Sequence, residues 1–277
     1  MTALDRLNFI IATYGRLIAG LFNFRLWPPF LVYFILLAAI ILMIAGQFAP
    51  GMSWMIALNT WVAGSGVLHY PQHYSYLPYS FERMSILPSL LLESLLTAAA
   101  IVMFAAYFRR ERVKFFGALR EVMPSYLKIL VIWVVNFLLV YLLFKALPGL
   151  FSDFIQGAPR RQLALYVGLR GLAVLLTSLF IYALPLLLIK RRSLSQSFTG
   201  SFALFFRSFF TTVIFVGLPQ LLVLPLVYTL QNTGSIVDKF NPDVIVWLTG
   251  ALALAMNLAN FFTTGAIVRF FLEIADD

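Results

Sequence analysis

Few residues in this chain are equipped for chemistry, and most of them sit where chemistry is expensive. Glu93 is the one carboxylate well inside a long apolar run, SILPSLLLESLLTAAAIVMFAAYF from Ser85 to Phe108. Arg170 is the one cation left deep inside another. A charge at the centre of a bilayer costs roughly 2.5–3.5 kcal/mol on insertion scales, and less at partial depth. Glu93 therefore needs a partner or a proton. Each of the two lies about seven residues, or about 10 Å, from the outer end of its run. Matched depth makes Arg170 the expected partner of Glu93. The pair reads either as a proton or ligand site near the outer leaflet, or as a structural ion pair that fixes helix register.

Other polar residues share these faces. Ser89, Glu93, Thr97 and Ala100 recur at helical spacing, as do Arg170, Ala173 and Thr177. Gly250, Ala253, Asn257, Asn260 and Thr264 form a second stripe, nearer the inner side. Asn136 and Gln220 add polar groups to two further runs. Together they are expected to line a polar interior or to serve as interhelical hydrogen bonds. His69 and His73 flank Pro71, which breaks a common helical face, and with Glu82 they make a thin case for a metal. No metal or cofactor is assigned. Phosphate-binding, serine-hydrolase, zinc-protease and dinucleotide motifs are absent from the sequence. One intramembrane carboxylate and no intramembrane histidine argue against an enzyme.

The elements that must position these residues are membrane helices. The 277 residues are 62% hydrophobic and only 11% charged, with mean hydropathy +0.93. Soluble domains carry about 25% charged residues, so a polytopic membrane protein is the default. Continuous rather than alternating apolar runs imply helices and not a barrel. The expected fold is all-α, a single integral membrane domain with six transmembrane helices near 27–48, 85–108, 126–147, 163–189, 209–230 and 243–270. Residues 1–26 are expected to be an amphipathic interfacial helix and not a cleaved leader, with Leu7, Ile10, Ile11, Tyr14, Leu17, Ile18 and Leu21 on its apolar face. Between 49 and 83 lies the longest connection, with Tyr70, Tyr74, Tyr76 and Tyr79 as an outer aromatic belt. The connection 148–162 is read as an outer loop, and 272–277 as a short inner tail.

Charge orients this threading. Of the 20 cations, fourteen fall on the inner side and five on the outer, with Arg170 inside a span. That asymmetry places both termini in the cytoplasm of an inner (plasma) membrane. The net charge of +9 is gathered at the ends of apolar runs, so acidic lipid head groups are the expected partner and nucleic acid is not. The head-group or partner contacts would be Arg109, Arg110, Arg112, Lys114, Lys190, Arg191 and Arg192. With no cysteine, disulfide and thiolate chemistry are excluded.

The two inner loops also echo each other. Arg109-Arg110 and Arg191-Arg192 are 82 residues apart, and at the same offset Phe116 matches Phe198 and Val131–Val134 matches Val213–Val216. Each basic pair leads into an amphipathic segment and then a span, as residues 1–26 lead into the first. This suggests three repeats of an interfacial helix followed by a helical hairpin.

Two stretches carry a resemblance to a known type. SQSFTGSFALFFRSFF (Ser195–Phe210) and NLANFFTTGAIVR (Asn257–Arg269), set in this plan, resemble the six-helix YciC-like bacterial membrane proteins. They also resemble the membrane domain fused to some glycerophosphoryl diester phosphodiesterases. The resemblance implies a six-helix membrane fold and no catalytic residues in the membrane part. The phosphodiesterase domain is absent from this sequence, so no activity carries over. The functional expectation is a non-enzymatic membrane protein that transports or handles a lipid or amphiphile. The alternative is a structural or accessory subunit, docking a membrane-protein partner or a second copy through the basic loops.

Overall fold

A computed structural model describes residues 3–151 and 159–276, and in those residues every regular element is helical. Helix α1 (Ala3–Leu21) leads through a 3-10 turn, Phe24–Leu26, into α2 (Pro28–Ala45). After it come α3 (Ser53–Ala63), a 3-10 turn at Ser65–Leu68, and α4 (Gln72–Met84). The helical path continues through α5 (Ile86–Pro88), a π-helical segment at Ser89–Glu93, and α6 (Ser94–Phe108). Next are α7 (Phe115–Val122), a 3-10 turn at Met123–Ser125, and α8 (Tyr126–Leu150). Then follow α9 (Pro159–Phe180), α10 (Ala183–Leu188), α11 (Leu194–Arg207) and α12 (Phe209–Gln220). The chain closes with α13 (Leu224–Leu230), α14 (Thr233–Lys239) and α15 (Val244–Asp276).

Five of these helical stretches are long and apolar enough to cross a membrane, and the bent pair α11–α12 raises the count to six. The protein is therefore an all-α, multi-pass membrane chain. Several expected boundaries move. Within the connection 49–83, the segment Met52–Val62, too short to span, falls on the helix Ser53–Ala63, Gln72–Met84 is a further helix, and Tyr70, Tyr76 and Tyr79 are exposed. The fourth span is interrupted before Ala183, because Pro185 has no N–H to give the carbonyl of Ile181. The fifth span, read as one helix over 209–230, is two short helices, Phe209–Gln220 and Leu224–Leu230. Pro219 and Pro225 bracket the break, and turn bonds from Leu222 and Val223 to the carbonyls of Pro219 and Gln220 cross it. The sixth helix runs on to Asp276, so the expected tail is helical. The third and fourth helices extend to Leu150 and from Pro159; the centre of the expected loop 148–162 lies outside the described residues.

The chain forms two compact units. The first comprises Met1–Leu26, Ser94–Leu218 and Phe262–Asp277. Its α1 packs differently from the expected amphipathic face. Ile10, Thr13, Leu17 and Gly20 are buried, while Leu4, Leu7, Ile11 and Ile18 are exposed. A second apolar stripe thus stays outside, as an interfacial helix requires. Polar, apolar and ring contacts hold α1 to the end of α15, among them Phe9 against Phe270 and Tyr14 against Phe262. Arg269 donates from Nη1 to the Ala12 carbonyl at 2.6 Å and lies over the Phe9 ring at 5.1 Å. Leu17 packs on Gly265, where any side chain would also meet the Phe104 ring. Aromatic rings fill the rest of this core: Phe215 is fully buried and meets Phe9, Tyr14 and Phe270.

In the same unit α11 starts with a capping box, Ser193 and Gln196 satisfying each other's backbone amides. The 97° bend into α12 falls at Ser208. There Ser208 Oγ donates to the Leu204 carbonyl at 2.6 Å and Thr212 Oγ1 to the Ser208 carbonyl at 3.0 Å. Tyr182 Oη joins Thr212 Oγ1 at 2.6 Å, tying the bend to the α9–α10 break. Hydroxyls that accept or donate locally are a common cause of such bends.

The second unit comprises Trp27–Glu93 and Pro219–Phe261. Trp27 stacks on Phe261 with ring centroids 5.2 Å apart, and Phe30 meets the same ring edge-on. Val223, Ala255 and Ala259 form a small apolar core. Buried Gln47 donates to the Val67 carbonyl at 2.9 Å and accepts from Asn59 at 2.8 Å, fixing α3 against the turn that follows it.

Candidate functional site

Two arrangements could do chemistry, one in each unit. In the second unit the π-helical segment Ser89–Glu93 sets the geometry. A π turn takes in one residue more than an α turn and often marks a functional position. It carries Ser89 at one end and Glu93 at the other. Glu93 Oε1 accepts from Asn260 Nδ2 at 2.7 Å. Ser89 Oγ and Tyr33 Oη are 2.6 Å apart, and both hydroxyls approach the same carboxylate. Tyr33 is buried, whereas Leu87, Leu91 and Leu92 on the same path are exposed. The carboxylate is thus held by an amide N–H and two hydroxyls from α2, the π segment and α15.

This cluster unites residues read from separate stripes. Ser89, Glu93 and Asn260 come together, so the two polar stripes meet at Asn260. Tyr33 is an addition: one hydroxyl in an otherwise apolar run is its only sequence signal. The expected pairing of Glu93 with Arg170 joins residues of different units, and each has partners inside its own unit. Arg170 Nε donates to Tyr166 Oη at 3.2 Å, and its guanidinium lies over the Tyr166 and Phe144 rings at 5.2 and 5.3 Å. Asn257 is buried and donates back to its own helix at the Ala253 carbonyl, 2.9 Å away. Thr264 is buried, Thr97, Thr177 and Gln220 are half-buried, and Asn136 Oδ1 is buried with no partner among the described residues.

In the first unit the basic segment after α6 closes around a cavity of about 410 Å3. The chain turns at Arg110, whose φ of 60° is left-handed, while Glu111 N–H returns to the Ala106 carbonyl at 2.8 Å. This is the helix-ending geometry that glycine usually provides. It brings Arg109, Arg112 and Lys114 to one cavity, with Arg191 opposite. Arg191 is itself left-handed, with φ 50°. The apolar walls are Val102, Met103, Ala105 and Ala106 from the last turns of α6, with Leu188 and Ile189. Glu111 and Glu121 also line it. Arg192 lies in a separate open groove with Gln196, Thr199 and Gly200, and Lys190 is exposed.

His73 occupies a third setting, in the second unit at the start of α4. It is 2% exposed and surrounded by the rings of Phe48, Tyr70 and Tyr74 at 5.1, 5.8 and 4.0 Å. Neither ring nitrogen has a hydrogen-bond partner among the described residues. Among the described residues no group of three or more His, Asp or Glu side chains is placed to hold a metal. Compared with known proteins, the chain matches no family model, no curated protein and no solved structure.

Proposed function

We propose that this chain is a non-enzymatic multi-pass protein of an inner (plasma) membrane, with both termini cytoplasmic, that binds and handles a lipid or other amphiphile. The observation that carries the reading is the basic cavity of the first unit. It sits where apolar helices end and cations begin, so its walls change from Val102, Met103, Ala105 and Ala106 to Arg109, Arg112, Lys114 and Arg191. A head group and the start of its acyl chains have the same change of polarity. About 410 Å3 falls within the ordinary range for small-ligand sites. Basic pockets at the cytoplasmic ends of membrane helices are a recurrent way of holding anionic head groups. The exposed stripe Leu4, Leu7, Ile11 and Ile18 on α1 fits a helix lying in the same interface. The succession of helix, break and second helix at α1–α2, α7–α8 and α11–α12 supports a threefold repeat that starts each time from the inner side.

The test is gentle purification from native membranes followed by native mass spectrometry. Retained phospholipid, lost when Arg112 and Arg191 are both changed to Glu, is the expected result. A folded protein that carries no phospholipid would end this reading. A stoichiometric protein partner released by the same changes would favour an accessory subunit instead.

A further inference from the structure

We infer that the basic cavity of the first unit selects an aminophospholipid, a head group carrying an ammonium beside its phosphodiester, over a purely anionic one. The inference rests on the lipid-handling reading and narrows it. Its basis is the placement of the two acids among the four cations.

One wall of the cavity is a face of α7, lined by Gly117, Ala118 and Glu121, with Lys114 immediately before the first helical residue. Glu121 therefore lies about 10 Å along the chain axis from Lys114, at about 1.5 Å per residue. The two residues between them are small, so the wall is a slot with a cation at one end and a carboxylate at the other. Arg109, Arg112 and Arg191 add to the positive side, partly balanced by Glu111. Four cations against two carboxylates leave an excess of two positive charges, which draws a phosphate in.

A purely anionic head group would fill the positive end and bring only phosphate oxygens or neutral hydroxyls toward Glu121. That carboxylate would then exchange water for at most a neutral donor, with a second anion nearby. An ammonium a few bonds from the phosphorus brings a charged donor, with a charge-assisted hydrogen bond to the carboxylate. Glu121 thus works by excluding the wrong head group as well as by attracting the right one. Its side chain is exposed, so a change there is tolerated by the fold.

The test is competition in nanodiscs made from equal phosphatidylethanolamine and phosphatidylglycerol, with the full chain inserted and then released into mild detergent. Native mass spectrometry reads which lipid stays. The expected result is retention of phosphatidylethanolamine over phosphatidylglycerol by about fivefold, the ratio one partly exposed ion pair supports. Glu121→Gln should lose the preference. Equal retention of the two lipids by the unaltered protein would overturn the inference, as would a preference that survives Glu121→Gln. In both cases lipid binding itself would stand. Loss of every lipid from the unaltered protein would instead overturn the lipid-handling reading. A further arm adds soluble O-phosphoethanolamine: displacement of the lipid at equal concentration would assign the cavity to a free phosphoamine and overturn the lipid selectivity.

Discussion

Asn260 donates its side-chain N–H to Glu93 Oε1 at 2.7 Å, across 167 residues of sequence. A buried acceptor that loses its donor costs about 1–3 kcal/mol, while replacing both partners by apolar groups can be nearly neutral. Asn260→Leu should therefore lower stability in detergent by that amount. Glu93→Leu combined with Asn260→Leu should recover part of the loss. Unfolding of the two single variants and the double variant gives the coupling directly. Strict additivity would mean that this bond does not hold the second unit together.

Tyr33 and Ser89 form the second half of the cluster, with their hydroxyl oxygens 2.6 Å apart. Tyr33→Phe keeps the ring and removes one hydrogen bond, an expected loss of about 0.5–1.5 kcal/mol. Ser89→Ala should cost a similar amount. Because the two variants remove the same bond, the double variant should cost less than their sum. Thermal unfolding of the three proteins in one detergent decides it.

Gly265 lies against Leu17 and the Phe104 ring, with two ring carbons 3.0 and 3.1 Å from where a Cβ would stand. Gly265→Ala should overpack the first unit at a cost of about 1–3 kcal/mol. Leu17 can yield where the Phe104 ring cannot. The cost of Gly265→Ala should accordingly shrink, without vanishing, when measured in a Leu17→Ala background.

What was legible in the sequence followed from composition and period. Long apolar runs gave the helices, and the cations at their ends marked the boundary that frames the basic cavity. Breaks were harder. Pro185 and Pro219 lie in runs that a bilayer would accept whole, and hydropathy does not register a missing N–H. The polar stripes were read on an α-helical period, which the π segment at Ser89–Glu93 does not keep. The match of Glu93 with Asn260 depends on the relative depth of two helices far apart in sequence, which no local pattern contains. Depth counted from helix ends suggested Arg170, but Tyr166 one turn earlier on its own helix occupies the guanidinium. Tyr33 was missed because a tyrosine in an apolar run reads as an interfacial anchor.

The π segment gives the second span one residue of slack. Five residues there occupy a path that a plain α-helix would cover with four. Removing Leu90, Leu91 or Leu92 would let the segment relax into ordinary α-helix, with the residues before and after it still facing as they do now. The same deletion among Ala98, Ala99 and Ala100, all fully or almost fully buried, would swing every following side chain through about 100°. Loss of one leucine beside Glu93 is therefore the cheapest shortening this helix can undergo, and it would dismantle the carboxylate's surroundings while sparing the rod that carries them.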